Sequence, residues 1–336
     1  MGCLITPTIT ARRPRMARIA AGLLCVAVAM PGIVPAQSYP SKPLRAIVPS
    51  GAGGPADTSA RALAQALTPA LGQPVVVENR PGANGILGME ACARAAADGY
   101  TVCVTQMAPV SINPLIYPKL SYDPVRDLAP VGLIGVTTGS IAVHASVPAK
   151  DLRELLALAR ARPGTLNWGS WGNASNSYLH LAWLQKAADV SFASISYKTP
   201  DQAVTALGTG EIQVLQNNPG IFLPMEKAGR IRVIAVSGAR RSRQFPEIPT
   251  LSEQGFDLDF PGWNGVFAPA GTPGPVVARL NAELNRLLGD ERFVQRFLAP
   301  AEIEPTPLTP SQTASFLQQH RRTAELLVKL ANIRID

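Results

Sequence analysis

Two glycine-containing turns are the segments of this chain best suited to chemistry, because each one precedes a helical segment. The first is residues 50–56 (SGAGGPA), followed by Asp57 and, four residues later, Arg61. The second is residues 170–176 (SWGNASN). The first N–H groups of a helix have no intrahelical partner, and the helix dipole adds positive potential there. Such an N-terminus binds a carboxylate or phosphate without a Lys or Arg; the alternative is an ordinary strand-to-helix turn.

Side chains in and near these turns refine the prediction. The glycines of the first turn permit a close approach that a Cβ would block. Asp57 suits a first-turn acid paired with Arg61 at i,i+4. The indole of Trp171 either stacks on a flat or aromatic ligand or packs inside its own lobe.

Polar residues that follow three further predicted strands complete the candidate site. An amide at position 217 suits an anionic ligand, because it adds no like charge. The candidate ligand-binding residues are Ser50, Gly51, Ala52, Gly53, Gly54, Ala56, Asp57, Thr105, Gln106, Met107, Ser170, Trp171, Asn173, Ser175, Tyr197, Lys198 and Asn217.

Enzyme motifs are missing from the sequence. There is no GxSxG elbow, no Walker A loop and no HExxH, and the glycines at 82, 85 and 88 are not spaced as a dinucleotide fingerprint. The three histidines, His144, His180 and His320, lie far apart, and His180 is interpreted as a packing residue. We therefore predict no catalytic residue, no metal and no cofactor, with a secreted hydrolase as the disfavoured alternative.

Apolar and polar segments alternate in a way that predicts an α/β protein built from parallel βαβ units. The length favours two lobes over one large core. Strands are predicted at residues 44–48, 75–78, 100–105, 165–169, 192–197, 212–216 and 231–236, with a long apolar stretch at 128–143. Helices are predicted at 58–71, 85–97, 151–162, 176–188, 202–208, 272–298 and 310–331.

The basic balance of the chain does not indicate a nucleic-acid partner. The formal charge is +8, but Arg12, Arg13, Arg15 and Arg18 lie in the first 36 residues, which contain no acid. Without them 27 basic residues face 23 acidic ones, a net charge of +4. Most of these charges are scattered, which is typical of a solvated surface.

The N-terminal segment has the order of a secretion signal. A basic stretch precedes twelve apolar residues at 19–30, and Val34-Pro35-Ala36 offers small residues for cleavage. Twelve residues are too few to span ~30 Å of hydrocarbon. We predict a signal peptide at residues 1–36, with translation starting at Met1 or at Met16, and a mature protein in the periplasm.

Cys92 and Cys103 are the cysteines that remain after the signal. In an oxidising compartment they form a short disulfide loop or stay as two buried small hydrophobic residues. The sequence leaves both alternatives open, because it does not give the Cα separation.

An ordered set of short motifs resembles the Bug family of extracytoplasmic solute receptors of tripartite tricarboxylate transporters. The resemblance covers essentially the whole mature chain, although Trp171, Asn217 and the Thr199-Pro200 pair depart from the usual family residues. The motifs are YPSKPLR at 39–45, GGPAD at 53–57, GQPVVVENRPG at 72–82, DGYT at 98–101, YDP at 122–124, YK at 197–198 and APAGTP at 268–273.

This resemblance implies a two-lobed, type II periplasmic-binding-protein fold, with each lobe a mostly parallel sheet flanked by helices and a ligand cleft between the lobes. We place the crossovers near residues 133–134 and 263–264, so that lobe 1 is 37–133 plus 264–336 and lobe 2 is 134–263. The implied function is capture of a small organic anion, a carboxylate that is aromatic or aliphatic. The implied partners are the membrane subunits of a transporter, with the receptor as a monomer. A sensor that feeds a membrane kinase is the alternative.

Overall fold

The computed structural model describes residues 1–3, 8, 10, 39–173, 175–238, 240–258 and 260–333. The predicted signal peptide lies almost entirely outside the described residues. The chain from Ser38 to Asp336 forms one compact unit. Among the described helices none combines the length and apolarity needed to cross a bilayer.

The elements of this unit follow the predicted alternation of strands and helices. The strands of the described residues are β1 (Leu44–Val48), β2 (Val75–Asn79), β3 (Thr101–Gln106), β4 (Leu128–Thr137), β5 (Gly139–His144), β6 (Asn167–Ser170), β7 (Ala193–Ser196), β8 (Val214–Asn217), β9 (Ile231–Ser237), β10 (Gly262–Pro269) and β11 (Ile303–Pro305). The α-helices are α1 (Pro55–Leu71), α2 (Ile86–Ala93), α3 (Asn113–Ile116), α4 (Leu152–Ala161), α5 (Asn176–Ala188), α6 (Pro200–Thr209), α7 (Pro219–Lys227), α8 (Gly274–Leu288), α9 (Glu291–Phe293) and α10 (Pro310–Leu330).

The strands form two sheets, which confirms the predicted α/β class. The first sheet has the order β11-β4-β10-β3-β1-β2 and the second the order β7-β6-β8-β5-β9. Both sheets are mixed rather than mostly parallel. In the first, β10 runs antiparallel to β3 and β4, and in the second, β5 runs antiparallel to β8 and β9. β5 and β10, which each follow a crossover, are antiparallel to their neighbours, and so is the edge strand β11. The apolar pattern alone did not give these directions.

The chain passes between the sheets at two crossovers. The first is Thr138, because β4 continues in the first sheet to Thr137 and β5 begins at Gly139. Residues 133–134, where the sequence placed this crossover, lie inside β4. The second crossover is the segment between Ser237 and Gly262, so residues 263–264 already belong to β10. The lobe boundaries remain a proposal, which these pairings place at 138 and within 238–261.

Each sheet is buried on both faces, which explains its nearly continuous apolar strands. In β1, Ala46 and Val48 face one hydrophobic cluster while Ile47 faces another. In β5, Val143 and Ala142 face two further clusters in the same way. This burial fixes the strand register, because a slip of one residue would exchange the two faces.

The structure joins Cys92 to Cys103 in a disulfide, with the two Cα atoms 6.1 Å apart. Both residues are fully buried. The bond ties α2 to β3.

Candidate ligand-binding site

Strand direction brings the predicted site segments to the edges at which the two sheets meet. In the first sheet β1 and β3 run parallel to each other, and β3 is antiparallel to β10, as is β4. The carboxyl ends of β1, β3 and β4 therefore share one edge. In the second sheet β6, β7 and β8 run antiparallel to β5, so their carboxyl ends lie at the beginning of β5. Because Thr138 alone separates β4 from β5, these two edges adjoin.

The first loop (residues 50–54) connects β1 to α1 and leaves its glycines in open space. Gly53 has φ +82, and a Cβ added at Gly51 or Gly53 would meet no atom within 4 Å. Gly54 is the N-cap residue of α1, and Pro55 occupies the first turn, where the missing N–H costs nothing. The Oγ atom of Ser50 is buried and has no hydrogen-bond partner in the part of the chain that is described.

Asp57 holds this loop in place. Its Oδ2 accepts hydrogen bonds from the amide of Gly53 at 2.8 Å and from Nε of Arg61 at 2.9 Å. Its Oδ1 accepts from Nδ2 of Asn79 at 2.8 Å, and the same amide nitrogen donates to the carbonyl of Ser50 at 3.0 Å. The predicted i,i+4 pair with Arg61 is thus confirmed.

The electrostatics of Asp57 agree with this role. Burial raises the pKa of the Asp57 carboxyl, but the hydrogen bonds from Arg61, Gly53 and Asn79 outweigh burial and hold the pKa below its usual value. Since both carboxylate oxygens have partners, Asp57 positions the loop.

The second loop (residues 170–175) connects β6 to α5. Ser170 is 1% exposed, and its Oγ has no partner among the described residues. Gly172 has φ +103, a conformation that favours glycine. Ser175 is the N-cap residue of α5, and its Oγ accepts from the amide of Tyr178 at 3.3 Å. Asn173 is exposed at the tip of the loop.

Unpaired backbone donors begin both helices. No hydrogen bond within the described chain engages the amides of Ala56 and Asp57 at α1 or the amide of Asn176 at α5. The side chain of Ala56 is fully buried, so this residue offers its backbone alone. Two helix starts with free N–H groups, on two adjoining sheet edges, form a cradle for a negatively charged group.

The carboxyl end of β8 supplies a further donor. Oδ1 of Asn217 accepts the amide of Asn218 at 2.8 Å, which leaves Nδ2 as the outward donor. That Nδ2 is buried and has no partner in the described residues.

Other predicted residues are engaged in the packing of their own sheets. Thr105 is fully buried, and Met107 is buried in a hydrophobic cluster of the first sheet, whereas Gln106 is half-buried at the end of β3. The hydroxyl of Tyr197 donates to Glu211 at 2.9 Å, and burial together with this carboxylate raises the pKa of Tyr197 to about 12. Lys198 is exposed beside it.

Trp171 is half-buried at the start of the second loop. Its ring packs against the hydrophobic cluster that contains Leu207, Leu215 and Phe222. Part of the indole stays accessible, so the stacking hypothesis stays a prediction.

Three further buried polar atoms belong to residues outside the predicted list of ligand-binding residues. Oε1 of Gln216, Oδ1 of Asn176 and Nε2 of His180 lack hydrogen-bond partners in the described part of the chain. Gln216 ends an apolar strand, a signal visible in the sequence. The burial of Oδ1 of Asn176 and of Nε2 of His180 is visible only in the structure, because it depends on the position of α5.

A cavity of about 510 Å³ lies elsewhere, at the crossovers, and we call it the hinge cavity. None of the predicted site residues lines it. Its walls include Thr138, Ser237, Phe260 and Glu302. Across the described residues no group of three or more His, Cys, Asp or Glu side chains is arranged to hold a metal ion.

The chain is similar to a family of known proteins. Residues 59–333 match the model of the tripartite tricarboxylate transporter family receptors. BugT of Bordetella pertussis is 33% identical over 299 residues, which cover 88% of this chain and 91% of BugT.

Three solved structures are also similar. Rpa4515 of R. palustris, solved with adipate, is 28% identical with a TM-score of 0.79, covering 88% of this chain and 99% of that one. The periplasmic binding protein BugD is 29% identical with a TM-score of 0.73, covering 88% and 99%. MatC of Rhodopseudomonas palustris, solved with bound malate, is 29% identical with a TM-score of 0.72, covering 86% and 100%.

The two sheets, their crossovers and these likenesses define a two-lobed periplasmic binding protein. More specifically, the chain belongs to the tripartite tricarboxylate transporter family of solute receptors, the family of the Bug proteins.

Proposed function

We propose that this protein captures a small organic carboxylate in the periplasm and delivers it to the membrane subunits of a tripartite transporter. The site lies between the edges of the two sheets. The proposal rests on the two helix starts with free amides, which offer charge-assisted hydrogen bonds to a carboxylate without a buried cation.

Side-chain donors support the same ligand class. The hydroxyls of Ser50 and Ser170 and the amide of Asn217 are buried and without described partners. A buried polar group normally has a partner, so these three atoms favour a ligand that supplies oxygen acceptors. The ligands of Rpa4515 and MatC, adipate and malate, are carboxylates of this kind.

The cellular part of the proposal follows from family membership and from the predicted signal peptide. A receptor of this family works outside the cytoplasm, and we propose that the chain acts there as a monomer. Sequencing the N-terminus of the exported protein checks the cleavage after residue 36.

A thermal-shift screen of matched compounds tests the ligand class. Adipate, malate and hexanoate offer carboxylates, while adipamide has the length of adipate without its charge. A carboxylate at a hundredfold excess over its dissociation constant should stabilise the fold by ~2.7 kcal/mol through mass action. Equal stabilisation by adipamide, or stabilisation by no carboxylate, would show that the proposed anion site is wrong.

Replacing Asn79 by alanine should weaken carboxylate binding about fivefold to tenfold. The change removes the hydrogen bonds that tie Asn79 to Ser50 and Asp57, so the first loop loses support. Asn79 is preferable to Asp57 for this test, because replacing Asp57 would also remove a negative charge near the anion. Isothermal titration calorimetry measures the change.

The control for that experiment is Asn285→Ala on α8. The Asn285 amide donates to Leu308, away from both loops. Its replacement should lower the melting temperature without changing the affinity. Equal affinity losses in both variants would contradict a positioning role for Asn79.

Replacing Trp171 by serine distinguishes stacking from packing. If the indole contacts the ligand, aromatic carboxylates should lose about threefold to tenfold in affinity, since such contacts are worth about 0.5–1.5 kcal/mol. Short aliphatic acids should change little. If the ring only packs within its lobe, calorimetry should find equal losses for benzoate and adipate, together with a lower melting temperature.

A further inference from the structure

Residues 299–304 precede and begin β11, a strand of the first sheet. They are hydrogen-bonded to residues that follow strands of the second sheet. Nδ2 of Asn218 donates to the carbonyl of Ala301 at 2.9 Å and lies 3.5 Å from the carbonyl of Thr138. Ala301 lies two residues before the start of β11, whereas Asn218 directly follows β8. This contact therefore links the two sheets at a point outside the crossovers.

Gln244, which lies in the second crossover, makes two further hydrogen bonds to the same segment. The backbone amide of Gln244 donates to Oε1 of Glu302 at 3.1 Å, and its Nε2 donates to the carbonyl of Pro300 at 3.4 Å. Glu302 is 7% exposed, and its own carbonyl accepts the amide of Thr138 at 3.3 Å. We call Asn218 and Gln244, with residues 299–304, the clasp.

The backbone of the clasp is held in an unusual conformation. Glu302 has φ +50, which is uncommon for a residue with a side chain. Such a conformation persists where surrounding contacts determine it, and here those contacts are the bonds from Gln244 and Thr138. The clasp is thus a defined set of contacts rather than a chance approach of two surfaces.

Asn218 connects the clasp to the ligand site. Its Oδ1 accepts the amide of Gly220 at 2.9 Å and so caps α7, while its Nδ2 reaches the first sheet. The preceding residue is Asn217, one of the candidate ligand-binding residues, whose buried Nδ2 has no partner among the described residues. One side chain therefore fixes both the end of β8 and the distance to residues 299–304.

The space around the clasp permits movement. The hinge cavity of about 510 Å³ is lined by Thr138 of the first crossover, by Gly238 and Pro261 of the second, and by Glu302. Close packing normally resists a change of angle, and an unfilled volume at the crossovers removes that resistance. In this conformer no hydrogen bond among the described residues joins the first loop to the second.

We propose that the clasp holds the two sheets apart in the ligand-free conformer and that Asn218 is a positioning residue that sets the closing equilibrium. Closure on a ligand then requires the bonds of Asn218 and Gln244 to residues 299–304 to break. The apparent affinity equals the intrinsic affinity multiplied by the fraction of molecules able to close. The expected effect of the clasp on ligand affinity rests on the proposed function. Its expected effect on the compactness of the unliganded protein does not.

The variant Asn218→Ser tests the clasp without removing the helix cap. Serine is also a good N-cap residue, so it retains the bond to Gly220 and loses the amide donor that reaches Ala301 and Thr138. The unliganded variant should be more compact in small-angle scattering than the wild type. Its affinity for adipate should rise about fivefold, the equivalent of ~1 kcal/mol, mainly through slower dissociation.

A second variant and a control complete the experiment. Gln244→Met loses the donor to Pro300, keeps the side-chain length and should shift compactness and affinity in the same direction. Asp151→Ser changes the N-cap of α4, away from the crossovers, and should leave both unchanged. If Asn218→Ser does not fold, the same measurements on Gln244→Met test the inference.

The outcomes separate this inference from the proposed function. If the wild-type protein does not bind adipate or any other carboxylate, the proposed function is wrong. Small-angle scattering of the unliganded variants still tests whether the clasp holds the sheets apart. Unchanged scattering in both clasp variants overturns the inference, as does a lower affinity at an unchanged melting temperature.

Discussion

Replacing Ser170 by aspartate should abolish carboxylate binding. Ser170 ends β6 at the edge facing the first sheet, is 1% exposed, and has an Oγ without a described partner. A carboxylate there would stand beside the bound anion. Two like charges ~4 Å apart repel by about 4 kcal/mol at the effective dielectric constant of such sites, roughly a thousandfold in affinity. Isothermal titration calorimetry with adipate measures the loss.

The neutral variant Ser170→Asn is the matched control for this change. It has nearly the volume of aspartate and no charge, so its loss of affinity reports steric effects alone. Ser170→Ala removes only the hydroxyl, and we expect a loss of about fivefold, the usual value of one hydrogen bond. Retained binding in Ser170→Asp, with a folded protein by circular dichroism, would place the ligand elsewhere.

Local patterns predicted those elements whose boundaries are set by local chemistry. β1 was predicted at its observed residues, and α10 to within one residue of its end. α10 begins at a capping box formed by Thr309 and Gln312, an arrangement that depends on residues close in sequence. The predicted helix at 272–298 instead ends at Leu288, because Gly289 interrupts it.

Elements that depend on distant partners were predicted less well. β10 occupies the middle of the first sheet, but its sequence contains Gly262, Gly265 and Pro269 and does not read as a central strand. α7 begins with Pro219-Gly220 and contains Pro224, so propensity argues against it. Both elements are held by tertiary contacts, which override local preference.

In the candidate site, too, the features that depend on local sequence were predicted and those that depend on distant residues were not. Glycine turns ahead of helices predicted both loops, because that signal is local. The partners of individual side chains could not be predicted: the sequence does not show that Asn79 reaches Asp57, or that Tyr197 reaches Glu211. Nor does it show which polar atoms are buried without partners, since burial is decided by the whole fold.

The second large expected effect is a loss of stability at acidic pH that is caused by two buried histidines, His180 and His320. The carbonyl of Asn176 can only accept, so Nδ1 of His180 bears the proton and donates at 2.9 Å, while its buried Nε2 has no described partner. By the same reasoning Nε2 of His320 donates to the carbonyl of Pro261 at 3.0 Å, and Nδ1 accepts from Ser111 at 3.1 Å. These carbonyl contacts require one ring proton on each histidine.

Burial lowers the pKa of His180 and of His320 from 6.5 to about 4, against the smaller opposing effect of their carbonyl partners. Between pH 6.5 and 4 the unfolded chain binds these protons and the folded chain does not. The free energy of unfolding contributed by each histidine is therefore complete above pH 6.5 and decreases as the pH falls toward 4. The full decrease is ~3 kcal/mol for each ring.

The variant His180→Leu should remove its share of this pH dependence. Urea unfolding at pH 7 and at pH 4.5 should give a smaller difference between the two conditions in the variant than in the wild type, by about 2 kcal/mol. The control Leu184→Met changes a buried residue of the same helix and should lower stability equally at both pH values. Asp57, Asp127 and Glu253 also have lowered pKa values, and each loses its contribution as the pH falls below its usual pKa, at or below the lower end of this window. If the stability difference between pH 7 and pH 4.5 is the same in His180→Leu and in the wild type, the imidazole of wild-type His180 takes up a proton near pH 6.5 in the folded protein. Its Nε2 would then have a partner that stabilises the charge.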